Sequence, residues 1–225
     1  MFGFDLKTFG KESRENYLAA ESFPHIIIDN FFSDETFEKL MEEFVIMGHM
    51  GDFPYDAQYG KRAKFDDFSP LVESVFLAME GDPFTKFLED LTGIDPVLSD
   101  PDRFGAGVHS TRRGGFLRRH LDFTKKSADD KHWRRINLII FMNHDWEEEW
   151  GGHCSLSTPD KKIFNNVLPV ANRAVLFSTS SKSWHGQVEP LNCPDNRHRI
   201  SLTCYYYSDT KADKDQHYRS TLYEE

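Results

Sequence analysis

The chain lacks any run of eighteen apolar residues, so no segment reads as a membrane-spanning helix. Its first residues, Met1 to Lys7, have neither the basic nor the apolar stretch of a secretory signal. Both absences lead to the expectation of a soluble, cytoplasmic protein. Cysteine is scarce: Cys154, Cys193 and Cys204 are odd in number and nowhere spaced as C-x-x-C, which argues against a disulfide framework and against a structural zinc site. Buried thiols are expected instead. A basic excess is also missing, since the formal net charge is −10, and a general nucleic-acid binder is not expected on that ground. No internal repeat or low-complexity stretch occurs. A chain of 225 residues is long enough for one sizeable core, and a single domain is expected.

The charge is unevenly placed. Between Thr111 and Arg135 nine Lys or Arg face three acids, a local balance of +6 that leaves −16 for the rest. Such a rim attracts acidic partners, unless its cations are paired with the acidic remainder of the chain.

In order along the chain, residues 1–22 are polar and irregular, fitting an arm or a short helix. Phe23 to Phe32 reads as a buried strand, a β-branched run bounded by Pro24 and Asn30. Ser33 is placed to cap a helix with Asp34 and Glu35 in its first turn and Gly48 at its end. Residues 49–68 have no periodicity and read as a loop that folds over a site. Ser69-Pro70 and Asp82-Pro83 each place a cap before a proline at the first helical position, and Gly93 closes the second of these helices. From Phe104 the chain is strand after strand: 105–110, 116–121, 133–143, 152–157, 163–170, 174–178, 183–190 and 199–208. Eight short strands separated by turn residues suit a jelly roll, a double-stranded β-helix. Helices gathered ahead of them give an α+β, mainly β class with the helices packed on one sheet. Residues 23–103 form the supporting part, 104–208 the core and 209–225 a polar tail.

The chemistry is concentrated between His120 and Arg199. On an extended strand residues two apart share a face, so His120 and Asp122 converge, and His185 of Ser183-Trp184-His185-Gly186 is the candidate third ligand. Two imidazoles and a carboxylate on one side of a metal leave positions open opposite, as in non-haem Fe(II) oxygenases.

These residues, with Arg199 and Ser201 following His185, resemble the 2-oxoglutarate and Fe(II)-dependent oxygenases, in particular the prolyl 4-hydroxylase-like group of small microbial type. Arg135 to Asn143, Trp146 to Gly152, Leu91 to Ile94 and Tyr205 to Tyr207 extend the resemblance over roughly residues 84–210. It implies that His120, Asp122 and His185 hold Fe(II), and that 2-oxoglutarate chelates the metal with its keto-acid end. It also implies O2 as co-substrate and ascorbate as a candidate reductant. The far carboxylate of 2-oxoglutarate needs a cation with paired donors. The Arg-x-Ser pattern assigns that place to Arg199 with Ser201, although Arg197 shares the face by alternation. Asn137 is a weaker candidate for a cofactor contact. Asp122, where halogenating relatives have a small residue, favours hydroxylation.

The chain departs from the pattern in two places. His153-Cys154-Ser155 follows the Gly-Gly pair where relatives alternate apolar and acidic residues. Leu117 stands where animal collagen-type enzymes have a tyrosine, which turns the expectation away from collagen-like substrates. The implied partner is a protein or peptide with a prolyl residue, acidic at its flanks and hydroxylated at C4. Alternatives are a small-molecule hydroxylase, a non-catalytic jelly-roll binding module and a zinc hydrolase. The last two have no use for a buried Arg-x-Ser element.

Overall fold

The computed structural model describes residues 1–47, 60–64 and 67–224. In chain order the elements are α1 (Leu6–Leu18), β1 (His25–Ile28), α2 (Asp34–Met47), β2 (Lys61–Lys64), α3 (Pro70–Glu80), α4 (Asp82–Thr92), β3 (Gly107–Thr111), β4 (Leu117–Leu121), β5 (Trp133–Phe141), β6 (Cys154–Ser157), β7 (Ile163–Val167), β8 (Ala174–Ser178), β9 (Trp184–Gln187), β10 (Arg199–Ser208) and β11 (Leu222–Tyr223). The strands form two antiparallel sheets. The major sheet runs β1-β8-β5-β10-β3-β2 and the minor one β11-β4-β9-β6-β7. This is the expected double-stranded β-helix.

The central strands of the major sheet, β8, β5 and β10, each have one apolar face. Ile136, Leu138 and Ile140 of β5, Leu202, Cys204 and Tyr206 of β10 and Leu176 of β8 point into one cluster with Phe31, Phe76, Phe84, Phe87 and Leu91. That cluster is the main core, and the helices cover the sheet on this side. Area removed from water stabilises the contact by about 25 cal/mol per Å2. The opposite face of the same strands looks toward the minor sheet and carries the site.

The helix ends follow their chemistry. Ser69 caps α3, its Oγ accepting from the Val72 N–H at 3.2 Å. Gly93 ends α4 at φ 75°, a left-handed conformation that costs a glycine nothing. Asp82 differs from expectation: Gly81 is the N-cap of α4, with no side-chain cap bond, and Asp82 sits inside the first turn, favouring the positive dipole end.

Both chain ends are more ordered than their composition suggested. Of the arm or short helix expected over residues 1–22, the structure has the helix, α1, capped by Asp5 through the Thr8 N–H at 2.8 Å, and its buried Tyr17 bonds Ser178. In the region expected as a polar tail, Gln216 is buried and β11 adds to β4, Tyr223 opposite His120. The apolar content of these stretches is too sparse for a periodic signal, and their partners are distant in sequence. Of the loop expected over 49–68, most lies outside the described residues. Residues 61–64 are strand β2, which pairs with β3 at the edge of the major sheet. Gly48, the expected end of α2, is also outside the described residues. Among the described residues no helix is long and apolar enough to cross a membrane.

Candidate metal and cofactor site

His120 lies on β4, Asp122 just beyond its end and His185 on β9 directly opposite His120. The two imidazole rings are 4.4 Å apart between centroids. Asp122 Oδ1 is 3.6 Å from His120 Nε2, and its Oδ2 is 3.6 Å from His185 Nε2. One ligand atom from each of the three residues falls within 4.8 Å of the others, the only such cluster among the described residues.

A β-bulge sets this geometry. Leu117 pairs with Gln187 and His120 with His185, so β4 has one residue more than β9 between the same two rungs. The extra residue shifts the alternation by one, and Leu117 and His120 line the same cavity although they are three positions apart. Gly186 faces the bulge. A Cβ there would stand 2.8 Å from the Leu117 carbonyl oxygen, so the close approach of β9 to β4 requires a glycine.

Backbone carbonyls fix both tautomers. The Nδ1–H of His120 donates to the Arg118 carbonyl at 2.8 Å, and that of His185 to the Ser183 carbonyl at 2.9 Å. A carbonyl can only accept, so each Nδ1 carries the proton and each Nε2 keeps its lone pair for a metal. Burial pushes His185 down to about 4, keeping it neutral. For Asp122 burial alone would raise the pKa. Arg134, His185 and His120 more than offset this and hold the carboxyl far below the usual range. The triad therefore presents two imidazoles with Nδ1 tied to backbone and Nε2 turned to the cavity, beside an ionised carboxylate.

The cavity around the triad has a volume of about 80 Å3. Its far wall is β10, where Arg199, Ser201, Thr203 and Tyr205 all face inward at every second position. Arg199 is 8% exposed and makes no ion pair with the described residues; its Nε–H donates to the Gly152 carbonyl at 2.7 Å, and its guanidinium lies over Phe141. Burial pushes its pKa down to about 10, still cationic at neutral pH. A buried cation without a counterion is costly, so this is a place where an anion is wanted. Arg197 is elsewhere: it precedes β10, bonds the His144 carbonyl and stacks on Trp150. Gly151 and Gly152, at φ 71° and 80°, make the turn that brings the Gly152 carbonyl to Arg199.

Asn137 lines the cavity from β5, and its amide Nδ2–H donates to Asp122 Oδ2 at 2.9 Å. It thus supports a ligand of the triad as well as facing the cavity. Sequence reasoning missed three neighbours. Lys61 of β2 adds a second cation to the cavity wall, and the thiol of Cys154 fills the β6 side, its pKa pushed up to about 11 by burial. The third is Arg134, fully buried beside Asp122. The His153-Cys154-Ser155 departure had pointed to an altered wall at this strand, whereas nothing in the residue pattern singled out Lys61 or Arg134.

The donor set fits Fe(II), since nitrogen and carboxylate ligands on one face leave the remaining positions open. Arg199, unpaired among the described residues, fits a dianionic co-substrate. With Asp122 balanced by Arg134, Arg199 is the cation of the cavity wall placed to meet that anion.

Residues 106–207 match the family model described as 2OG-Fe(II) oxygenase superfamily. Mouse prolyl 3-hydroxylase OGFOD1 is 25% identical over 204 residues, covering 84% of this chain; the chain spans 34% of that relative's length. The crystal structure of a Pseudomonas putida prolyl-4-hydroxylase superposes with a TM-score of 0.62 at 21% identity, covering 87% of this chain and 97% of that one. A Trichoplax adhaerens prolyl hydroxylase, solved with a peptide fragment of the hypoxia inducible factor oxygen degradation domain, gives a TM-score of 0.64 at 15% identity over 92% and 94% of the two chains. The two solved structures share the fold. Over residues 106–207, the stretch that carries the triad and Arg199, the chain is similar to the 2OG-Fe(II) oxygenase superfamily.

Proposed function

We propose that the chain hydroxylates a prolyl residue in a protein or peptide, with Fe(II) held by His120, Asp122 and His185 and 2-oxoglutarate held by Arg199. The observation that carries this is the pairing of a backbone-oriented triad with a buried guanidinium that meets no anion among the described residues, across one small cavity. When bound, the metal and 2-oxoglutarate supply the oxidising power. O2 is consumed, 2-oxoglutarate leaves as succinate and carbon dioxide, and the substrate C–H becomes C–OH.

The chain's own part is binding and orientation. Arg199 takes the far carboxylate in a charge-assisted pair, and the Ser201 hydroxyl, on the same face, adds a donor. His120 and His185 donate Nδ1–H to backbone carbonyls, which orients each ring with Nε2 toward the metal position. Ile139, Leu117 and Cys154 line the rest of the cavity and restrict water around the reacting carbon.

The prolyl substrate rests on what the relatives act on: the curated mouse protein is named a 3-hydroxylase and the Pseudomonas protein a 4-hydroxylase. C4 was the expected position, and the mouse relative makes C3 the alternative. The acidic-flank expectation loses support, because much of the basic run is engaged internally. Arg119 pairs with Glu224, Lys126 with Asp100 and Asp102, and Arg134 with Asp122.

The test is succinate release from 2-oxoglutarate over a panel of prolyl peptides differing in flanking charge, with the product carbon assigned by NMR. Prolyl-dependent succinate release with hydroxyproline formed supports the reading. Turnover of free amino acids or sugars alone would discard the polypeptide substrate.

A further inference from the structure

We infer that Arg134 is a positioning residue for the metal centre: with Asn137 it holds one oxygen of Asp122 so that the other is aimed at the metal. The inference rests on the metal-site reading above and adds a part to it that the ligand motif does not contain.

Arg134 is 1% exposed, the largest fully buried side chain among the described residues. Burying a guanidinium costs free energy unless its donors find partners and its faces find π-systems. Here the π-faces are supplied and the donors only in part, since Nε has no hydrogen-bond partner among the described residues. The guanidinium lies 3.4 Å from the Tyr205 ring centroid and 4.5 Å from that of Phe123, two rings set at 78° to each other, so it packs on both. Its Nη2 is 3.1 Å from Asp122 Oδ2 and also donates to the Asn137 side-chain oxygen. Asn137 in turn donates Nδ2–H to the same Oδ2 at 2.9 Å. Arg134, Asn137 and Asp122 close a three-membered ring of polar contacts around a single carboxylate oxygen.

The consequence is directional. Each oxygen lies 3.6 Å from an imidazole Nε2, Oδ1 from His120 and Oδ2 from His185, a separation suited to ligands sharing a metal; what differs is that Oδ2 also meets the Asn137 amide N–H and the Arg134 guanidinium, which occupy its lone pairs and leave those of Oδ1 for the metal. A carboxylate so held offers one oxygen and cannot swing to chelate with both, which preserves the open positions that 2-oxoglutarate and O2 need.

Arg134 reaches this place by a second bulge. Ile136 pairs with Tyr206 and Arg134 with Tyr207, so Arg135 is the extra residue on β5. Without it, Arg134 would share the helix-facing side with Ile136 and Leu138; with it, the side chain turns to the site.

Two physical roles predict opposite signs. Were Arg134 only a neighbouring charge, removing it would strengthen the attraction between Asp122 and a cation. If it positions Asp122, removing it weakens metal binding despite the more favourable electrostatics. The experiment is titration of the full chain with Mn(II), followed by EPR, for the unsubstituted protein and for Arg134→Met, Arg134→Lys and Asn137→Ala, with unfolding midpoints measured without metal. Positioning predicts a loss of roughly 10–100-fold for Arg134→Met, the range for partners that orient a metal ligand. It predicts only partial rescue by Arg134→Lys, which keeps the charge without the planar fork, and a smaller loss for Asn137→Ala. Equal or tighter Mn(II) binding by Arg134→Met overturns the inference. Should neither Arg134 variant fold, Asn137→Ala decides it, and unchanged affinity there is equally fatal. If the unsubstituted chain binds no Mn(II), the metal-site reading fails and this inference with it.

Discussion

The two faces of β5 and β10 have the same strands and backbone bonds but opposite composition. Facing the helices, Ile136, Leu138 and Ile140 stand beside Leu202, Cys204 and Tyr206, all buried in the aromatic core. Facing the minor sheet, Asn137 and Ile139 stand beside Arg199, Ser201, Thr203 and Tyr205, and all of them border the cavity. Period-two alternation thus separates the side chains that hold the fold from those that meet ligands, on one pair of strands. The cost of the second face is visible in Arg199, a buried cation with no counterion among the described residues, which a sheet built for stability alone would replace by an apolar residue.

The sharpest way to break this comparison is at the triad. His120→Ala or Asp122→Ala should abolish Fe(II) or Mn(II) binding by orders of magnitude, checked by metal titration. Unchanged binding would remove the metal role from the inner face. On the outer face, Leu202→Ala should destabilise the chain by about 2–5 kcal/mol, the range for Leu truncated in a packed core, while leaving Mn(II) affinity per folded molecule unaltered. Denaturant unfolding beside the same titration tests this. A large metal effect from Leu202→Ala would mean that the two faces are coupled and not separate.

Arg199 sharpens the comparison further, because stability and function should move in opposite directions. Arg199→Ala removes a charge-assisted pair worth roughly 1.5–3 kcal/mol, so the 2-oxoglutarate requirement should rise by one to two orders of magnitude with metal binding little changed. Arg199→Met, which fills the space without a charge, should raise the unfolding midpoint of the ligand-free chain. A fall in that midpoint would show that the Gly152 bond and the stacking on Phe141 outweigh the desolvation of the cation.

Much of this site was legible because its elements are local or periodic. His120 and Asp122 lie together in sequence, Arg199 and Ser201 alternate on one strand, and turn residues bound each strand of the jelly roll. What escaped was set by departures from period two. The bulge on β4 places Leu117 and His120 on one face, and the bulge at Arg135 brings Arg134 round to Asp122. An extra residue in a strand leaves no mark in composition, since its position depends on the partner strand. Lys61 escaped for another reason: β2 is an edge strand of four residues, two of them lysine, in a stretch with no hydrophobic pattern. β11 is shorter still, and only its pairing with β4 makes it a strand.

That shortest strand gives the smallest predicted effect. β11 is pinned next to His120 by Glu224, whose Oε2 accepts from Arg119 Nε at 2.7 Å and whose Oε1 accepts from Lys161 Nζ at 2.6 Å. These two bonds, the Arg119 one first, hold the Glu224 carboxyl down at about 2, below the ordinary glutamate value of 4.5. A depressed pKa in the folded state means that the contribution to stability is fully present above the unfolded value and is lost as the pH falls through the folded one. The contacts are partly exposed, so the effect is of the order of an ion pair at a surface, about 0.2–1 kcal/mol. Hydrogen exchange at the amides of Leu222 to Glu224 should therefore lose protection between about pH 4 and pH 2, ahead of the β5 and β10 amides. Glu224→Gln should show the weakened protection already at neutral pH and a flatter acid profile. If the variant and the unsubstituted chain instead follow the same curve, the ion triplet does not hold β11, and the strand's place beside His120 rests on its backbone pairing with β4 and on the contacts of Tyr223 with His120 and Arg118.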